Sequence, residues 1–456
     1  MSRLVVVSNR IAPVGEGGPP QGGLAVGVLE ALREQGGVWL GWSGKIVETV
    51  PDKPRFRTFG KITVVELDLT QLEYDTYYLG YANGTLWPAF HYRLDLMEFS
   101  RPNLEGYQAV NRRFARALDG FLQPGDRVWV HDYHLIPLAT ELRALDISLR
   151  LGFFLHTPFP AAQVLLGVPW HRDLVEHLAT YDVVGFQTER DVAGFADYLT
   201  VEKLGTIDEN GRGEAFGRTF LASAFPISIE TAGLVKQASD MEGSPQVKRL
   251  KASMRGRKLM IGVDRLDYSK GLVRRIKAVE RLFEAHPQFR GMVSFMQIAP
   301  PTRGELHQYR DIRHELEQHS GRINGAYADY DWMPIRYISR SYSRRTLAGF
   351  YRASAIGLVT PLIDGMNLVA KEYVACQDPE DPGVLVLSCF AGAAQELEGA
   401  LIVNPYDFES VGDTLAGALQ MTLGERRERH KILMDRLKRW DVTAWRRAFE
   451  AALADG

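Results

Sequence analysis

Asp364-Gly365-Met366-Asn367-Leu368-Val369-Ala370-Lys371-Glu372-Tyr373 decides the fold. It follows an apolar, strand-like run from Ala355 to Val359 and itself opens a helix-like run. The backbone amides of Gly365 to Leu368 then lie at a helix N-terminus, in the crevice where a strand ends. N–H groups and the positive end of the helix dipole make such a place a seat for a diphosphate. Glu372 falls two turns into that helix, where a carboxylate accepts hydrogen bonds from two adjacent sugar hydroxyls. A diphosphate seat beside a hydroxyl reader suggests a nucleotide-sugar site. On these residues alone, a helix capped by Asp364 with a solvated glutamate accounts for the pattern equally well.

Working outward, short apolar strands alternate with helical patterns along the whole chain, which argues for parallel sheets flanked by helices. The first half offers strands at Leu4–Ser8, Arg127–His131, Arg150–His156, Val183–Phe186 and Leu221–Ile227, with helices such as Leu24–Gln35 and Tyr107–Phe121 between them. The second half restarts with Lys258–Val263, Val293–Ile298, Ala355–Val359, Val384–Leu387 and Leu401–Val403. This implies an α/β protein of two Rossmann-like, doubly wound domains facing each other across a cleft. The expected division is residues 1–230 and 231–442, with a last helix, 443–456, packing back on the first domain. There is no internal repeat.

The totals narrow the function classes. A chain of 456 residues, 45% hydrophobic and 24% charged, has apolar material for two cores. A formal net charge of -2 provides no global basic field for nucleic acid or an anionic membrane. Any anionic substrate must therefore meet local Arg and Lys clusters. The two cysteines, Cys376 and Cys389, form neither a metal-ligand spacing nor a disulfide framework, so a reducing cytoplasm is expected. The N-terminal apolar run is too short for a signal peptide or membrane span.

Cations recur at strand C-terminal ends, where open α/β sheets bind ligands. Arg10 ends the first strand, ahead of a Gly/Pro-rich loop that closes with Gly22-Gly23 at a helix start. That loop is neither a Walker loop nor a GxGxxG fingerprint. Arg265 and Lys270 follow Lys258–Val263, and Arg303 follows Val293–Ile298. The alternative for Arg265 and Lys270 is a surface ion pair with Asp264 or Asp267. Asp132 and His156 stand just past two further strands. His131, His134 and His156 read as structural histidines, and no metal site is expected, because no carboxylate cluster accompanies them. Tyr78 and Trp87 flank a turn-rich segment, Gly80 to Leu86, within an aromatic-dense region.

These residues resemble the trehalose-6-phosphate synthases, retaining glycosyltransferases of the two-domain GT-B fold. The likeness is carried by Ser8-Asn9-Arg10, Gly22-Gly23-Leu24, Gly41-Trp42-Ser43-Gly44, Leu86-Trp87-Pro88, His131 to His134, His156 with Pro158-Phe159-Pro160, Gly185 to Thr188, Arg265 to Gly271, and Asp364 to Tyr373. The resemblance implies that Arg10, Trp42, Tyr78, Trp87 and Arg303 hold glucose 6-phosphate, with Asp132 on acceptor hydroxyls. On the donor side it implies Gly22 and Gly23 in the closing loop and His156 on the donor glucose. It places Arg265 and Lys270 on the departing diphosphate together with the turn Gly365, Met366, Asn367 and Leu368. Asp364 would bind sugar hydroxyls and Glu372 the ribose. Thr157 and Ser228 depart from the usual pattern without removing any of these residues.

The implied reaction transfers glucose from a nucleoside diphosphate glucose to the anomeric hydroxyl of glucose 6-phosphate, giving α,α-trehalose 6-phosphate. It needs no cofactor and no metal, since fixed cations offset the leaving charge. UDP is the donor base favoured by the resemblance; GDP and ADP remain open, with Arg336–Tyr342 as the segment expected to meet the base. A homo-oligomer is compatible with this reading. Two other functions fit such a site: a pseudoglycosyltransferase joining cyclitols through nitrogen, and a catalytically silent sugar-phosphate sensor.

Overall fold

The structure is a computed structural model that describes residues 3–14, 23–302 and 307–454. The chain divides into two compact units, Met1–Ile227 with Thr443–Gly456, and Ser228–Val442.

The first unit carries a ten-stranded sheet. Its strands are β1 (Leu4–Arg10), β2 (Gly37–Val47), β3 (Arg55–Phe59), β4 (Ile62–Thr70), β5 (Arg127–His131), β6 (Arg150–Phe154), β7 (Val183–Phe186), β8 (Gly205–Ile207), β9 (Arg212–Ala215) and β10 (Arg218–Ala224). They lie in the order β3-β4-β2-β1-β5-β6-β7-β10-β9-β8. The seven from β4 to β10 pair in parallel, and antiparallel β3, β9 and β8 close the edges. Central strands such as β1 and β5 are apolar along nearly their whole length because helices cover both faces.

The second unit carries β11 (Lys258–Val263), β12 (Val293–Ile298), β13 (Ile335–Ile338), β14 (Ile356–Val359), β15 (Val384–Ser388) and β16 (Leu401–Val403). They form an all-parallel sheet ordered β13-β12-β11-β14-β15-β16. Winding starts at β11, runs outward through β12 and β13, then reverses through β14. The reversal opens a crevice between the carboxyl ends of β11 and β14. In the first unit the corresponding reversal falls between β1 and β5.

Several elements differ from the sequence expectation. β2, β3, β4, β8, β9 and β13 were not anticipated. β2 is interrupted by glycines at Gly41 and Gly44, and β13 is only four residues long, so neither shows a clear alternation. The expected strand Leu221–Ile227 begins earlier and ends at Ala224. Helix Tyr107–Phe121 begins at Arg101, where Ser100 caps it by accepting from the Asn103 amide. The segment read as turn-rich before Trp87 is a π-helix, Tyr74–Leu86. Gly243-Ser244-Pro245 does break the stretch 231–257, into helices Thr231–Met241 and Pro245–Met254.

The final helix, Val442–Ala454, belongs with the first unit. Trp445, Phe449 and Leu453 are fully buried there, and Phe449 stacks on Trp129 of β5 with ring centroids 4.5 Å apart. No helix of the described residues is long and apolar enough to cross a membrane.

Candidate active site

In the first unit, polar and aromatic residues gather at the reversal between β1 and β5. Ser8-Asn9-Arg10 is pinned from two sides. Trp39 Nε1 donates to Ser8 Oγ at 2.9 Å, and Tyr77 Oη donates to Asn9 Oδ1 at 2.8 Å. The exposed Arg10 guanidinium stacks 5.4 Å from the Trp42 ring centroid. Gly44 makes that approach feasible, since a Cβ there would stand 2.6 Å from an Arg10 nitrogen.

The π-helix delivers Tyr78 to the same place. Tyr78 lies 5.8 Å from Trp42 and stacks on His134 at 5.8 Å with an 11° interplanar angle. π-Helical geometry is rare and recurs at functional sites. Trp87, one residue beyond this helix, is buried against His91 and Tyr133. Trp42 thus contacts both Arg10 and Tyr78, while Trp87 packs on the next aromatic layer.

Asp132 follows β5 with φ 75° and ψ 162°, a backbone region that side-chain-bearing residues rarely occupy. Its amide donates to Phe154 O at 2.8 Å, and its Oδ1 accepts from the His156 amide at 3.3 Å. The strained turn therefore couples the ends of β5 and β6. His156 is held from the other side by His131, with Nε2 and Nδ1 3.1 Å apart. Burial drives the His156 pKa down to about 3. Burial, then proximity to His156, drives His131 well below its ordinary value. Both rings are neutral near pH 7, so one donates to the other. Among the described residues no group of three or more His, Cys, Asp or Glu is arranged to hold a metal ion.

In the second unit the candidate site residues gather at the β11/β14 reversal. Asp264 and Arg265 follow β11, and a 3-10 turn, Tyr268–Lys270, ends at Gly271 ahead of helix Leu272–Ala285. Lys270 is nearly buried, and its Nζ donates to Asp364 Oδ2 at 2.5 Å. Asn367 Nδ2 donates to the same oxygen at 2.9 Å. Asn367 has φ 68° and immediately precedes helix Leu368–Cys376. The helix thus starts at Leu368, and Gly365 and Met366 belong to the loop before it. That loop is fixed by Asp364 N to Phe390 O, Gly392 N to Asp364 O and Ala393 N to Met366 O.

Asp264 is not the partner of Lys270, whose ammonium pairs with Asp364 instead. It bonds the wholly buried Arg275, Oδ2 to Nη1 at 2.7 Å. Asp267 is taken up by the Ser269 amide and hydroxyl. Glu372 lies in the second turn of its helix and pairs with Arg344 at 3.3 Å. Burial raises its pKa, and Arg344 opposes the rise. In the segment expected to meet the base, Arg336 holds Ser253 through Nη1 at 2.7 Å, and Arg340 stacks on Tyr342. Gly23 is the first residue of helix Gly23–Gln35; Gly22 and Arg303 lie outside the described residues.

Sequence reasoning missed Arg275 and Arg344. Arg275 had a legible signal: the spacing Leu272, Ile276, Val279, Phe283 puts it on the apolar face of its helix.

A strand-end cation, a carboxylate and a helix N-terminus at the reversal of a 3-2-1-4-5-6 sheet suit a nucleotide-sugar. The family model for glycosyltransferase family 20 matches residues 16–455. The chain belongs to glycosyltransferase family 20. This family 20 chain is 51% identical over 452 residues to a trehalose-6-phosphate synthase of Sinorhizobium fredii, covering 98% of this chain and 97% of that protein. An α,α-trehalose-phosphate synthase (UDP-forming) from Burkholderia xenovorans, solved in complex with glucose-6-phosphate, is 52% identical with a TM-score of 0.96, over 99% of this chain and 100% of that one. A structure from E. coli bound with UDP-2-fluoro glucose is 47% identical with a TM-score of 0.95, over 99% of each chain. The fold of this family 20 member is therefore GT-B, with two parallel-sheet domains.

Proposed function

We propose that this family 20 glycosyltransferase is a UDP-forming α,α-trehalose-phosphate synthase. It moves glucose from UDP-glucose to the anomeric hydroxyl of glucose 6-phosphate, with retention at the donor carbon. The observation that carries this is the Lys270–Asp364–Asn367 cluster at the head of helix Leu368–Cys376, in a chain alignable end to end with synthases of that name. The bound glucose-6-phosphate and UDP-2-fluoro glucose of two relatives supply the substrate classes.

In the first unit, Arg10 provides the charge for the 6-phosphate, with Trp42, Tyr78 and Trp87 flanking the sugar. Asp132 accepts from acceptor hydroxyls, and neutral His156 offers its ring to a sugar hydroxyl. In the second unit, Arg265, Lys270 and the amides of Asn367 and Leu368 hold the diphosphate, Asp364 reads glucose hydroxyls and Glu372 reads the ribose. Arg303, Gly22 and Gly23 keep their assigned roles at the 6-phosphate and in the closing loop. During transfer the acceptor oxygen bonds to the donor carbon on the face the diphosphate leaves. The breaking bond's electron pair goes to the β-phosphate oxygen, which takes the acceptor's proton. No protein nucleophile is needed; the residues position the substrates and offset charge.

A donor panel tests this. Purified protein is mixed with glucose 6-phosphate and, separately, UDP-, GDP- and ADP-glucose. We expect fastest UDP release and an α,α-linked disaccharide phosphate by mass and anomeric NMR. Substrate binding without product from any donor would overturn the assignment and favour a sensor, whereas turnover only with cyclitol substrates would favour the nitrogen-linking alternative.

A further inference from the structure

Arg275 is the least accessible charge in the second unit's nucleotide-side crevice, with a side-chain exposure of 0%. One guanidinium reaches four groups. Nη1 donates to Asp264 Oδ2 at 2.7 Å and to Gln297 Oε1 at 3.1 Å, Nε to Thr360 Oγ1 at 3.0 Å, and Nη2 to Lys270 O at 3.2 Å. Asp264, Gln297 and Thr360 sit on or just past β11, β12 and β14, so three adjacent strand ends meet on it. Gly262 of β11 leaves the space: a Cβ there would stand 2.9 Å from both Arg275 Nη1 and Gln297 Oε1.

The network poses an electrostatic problem that Arg275 meets at hydrogen-bond distance. Asp264 is buried, which raises its pKa; the Arg275 guanidinium first and the Lys270 ammonium next oppose the rise, while Asp364 adds to it. Two carboxylates thus stand near one ammonium. Without Arg275, the buried Asp264 would keep its charge only by drawing on another cation, and would otherwise take up a proton. Lys270 is the cation within reach.

We propose that Arg275 is a positioning residue for glycosyl transfer, neutralising Asp264 so that the Lys270 ammonium stays with Asp364 at the diphosphate end of the crevice. This rests on the proposed role of Lys270 toward the leaving group. Arg275 never touches substrate; it acts by removing a competitor. The same guanidinium fixes the Lys270 carbonyl, so the loop and the ammonium are set by one side chain.

The test is a double-mutant cycle on Arg275→Gln and Asp264→Asn in the full chain, read as kcat, KM for each substrate and folded fraction by circular dichroism. Arg275→Gln is expected to lower kcat about a hundredfold, the scale of a misplaced catalytic group. It should leave KM for glucose 6-phosphate unchanged. Adding Asp264→Asn removes the competing charge and is expected to restore kcat per folded molecule by about tenfold or more, whereas a purely structural role would restore the folded fraction and leave that kcat unmoved. If Arg275→Gln does not fold, the double variant, which buries no charge at these positions, stands alone: kcat within about tenfold of wild type supports the proposal, and kcat as low as that of Lys270→Ala overturns it. A folded Arg275→Gln with wild-type kcat, or a double variant no better than the single, also overturns it. Absence of transfer by the wild type itself would instead count against the proposed function.

Discussion

The proposed function rests on single side chains at strand ends. Lys270 is held by Asp364 on one side and by its own carbonyl's bond to Arg275 on the other, so its position is fixed before substrate arrives. Lys270→Ala should therefore cut kcat by about a hundredfold to a thousandfold, as for loss of one oxyanion donor, while circular dichroism stays unchanged. Wild-type rates in that variant would remove Lys270 from the mechanism. His156 makes a different prediction. Its folded pKa is depressed to about 3 from 6.5, so the stability it contributes is present above 6.5 and is lost as the pH falls toward about 3. An NMR titration should find the His156 ring still neutral near about pH 5, where an ordinary histidine is charged. Arg10, Asp132 and Lys270 were legible in the sequence because an apolar strand shows where its C-terminal end falls. Arg275 was passed over because its partners are far apart in the chain, at Asp264, Gln297 and Thr360, and no local spacing brings them together.

At the scale of elements, strands buried on both faces were the easiest to read. β5, β7, β11 and β12 have the bounds expected from their apolar runs, as does the short edge strand β16. The π-helix Tyr74–Leu86 was not legible: its period matches neither the 3.6 nor the 2.0 pattern, and its tyrosines pack sideways onto Trp42, Tyr107 and His134. Helix Glu189–Val201 supplies a prediction of its own. Asp191 accepts from the Thr188 amide and hydroxyl and from the Phe159 amide, tying the loop after His156 to this helix. Burial nevertheless raises its pKa from 3.8 to about 6. Its contribution to stability is therefore full below 3.8 and is lost as the pH rises through about 6. Compared with Asp191→Asn, which does not titrate, the wild type should lose stability across that window in denaturant titrations. A constant difference between the two would contradict the assignment.

Both units, taken whole, repeat one plan, with the chain reversing next to the first strand of its sheet and the proposed site residues gathering there. Five of the first unit's ten strands were missing from the sequence reading, yet the parallel centre and its reversal needed only the strands that were seen. The last helix adds a test of integrity. Trp445 is fully buried against Trp129 and Phe154, so Trp445→Ala should cost about 3–5 kcal/mol, measured by urea unfolding. A loss under about 1 kcal/mol would mean that the helix is not needed by the sheet it covers.

That helix also sets a schedule. A ribosome makes all 215 residues of Ser228–Val442 after it finishes Ile227 and before it reaches the helix that completes the earlier unit. At about 5–20 residues per second this is a wait of roughly ten to forty seconds. The unit begun first is thus finished last, and during synthesis the apolar surface around Trp129 stays uncovered and open to chaperones.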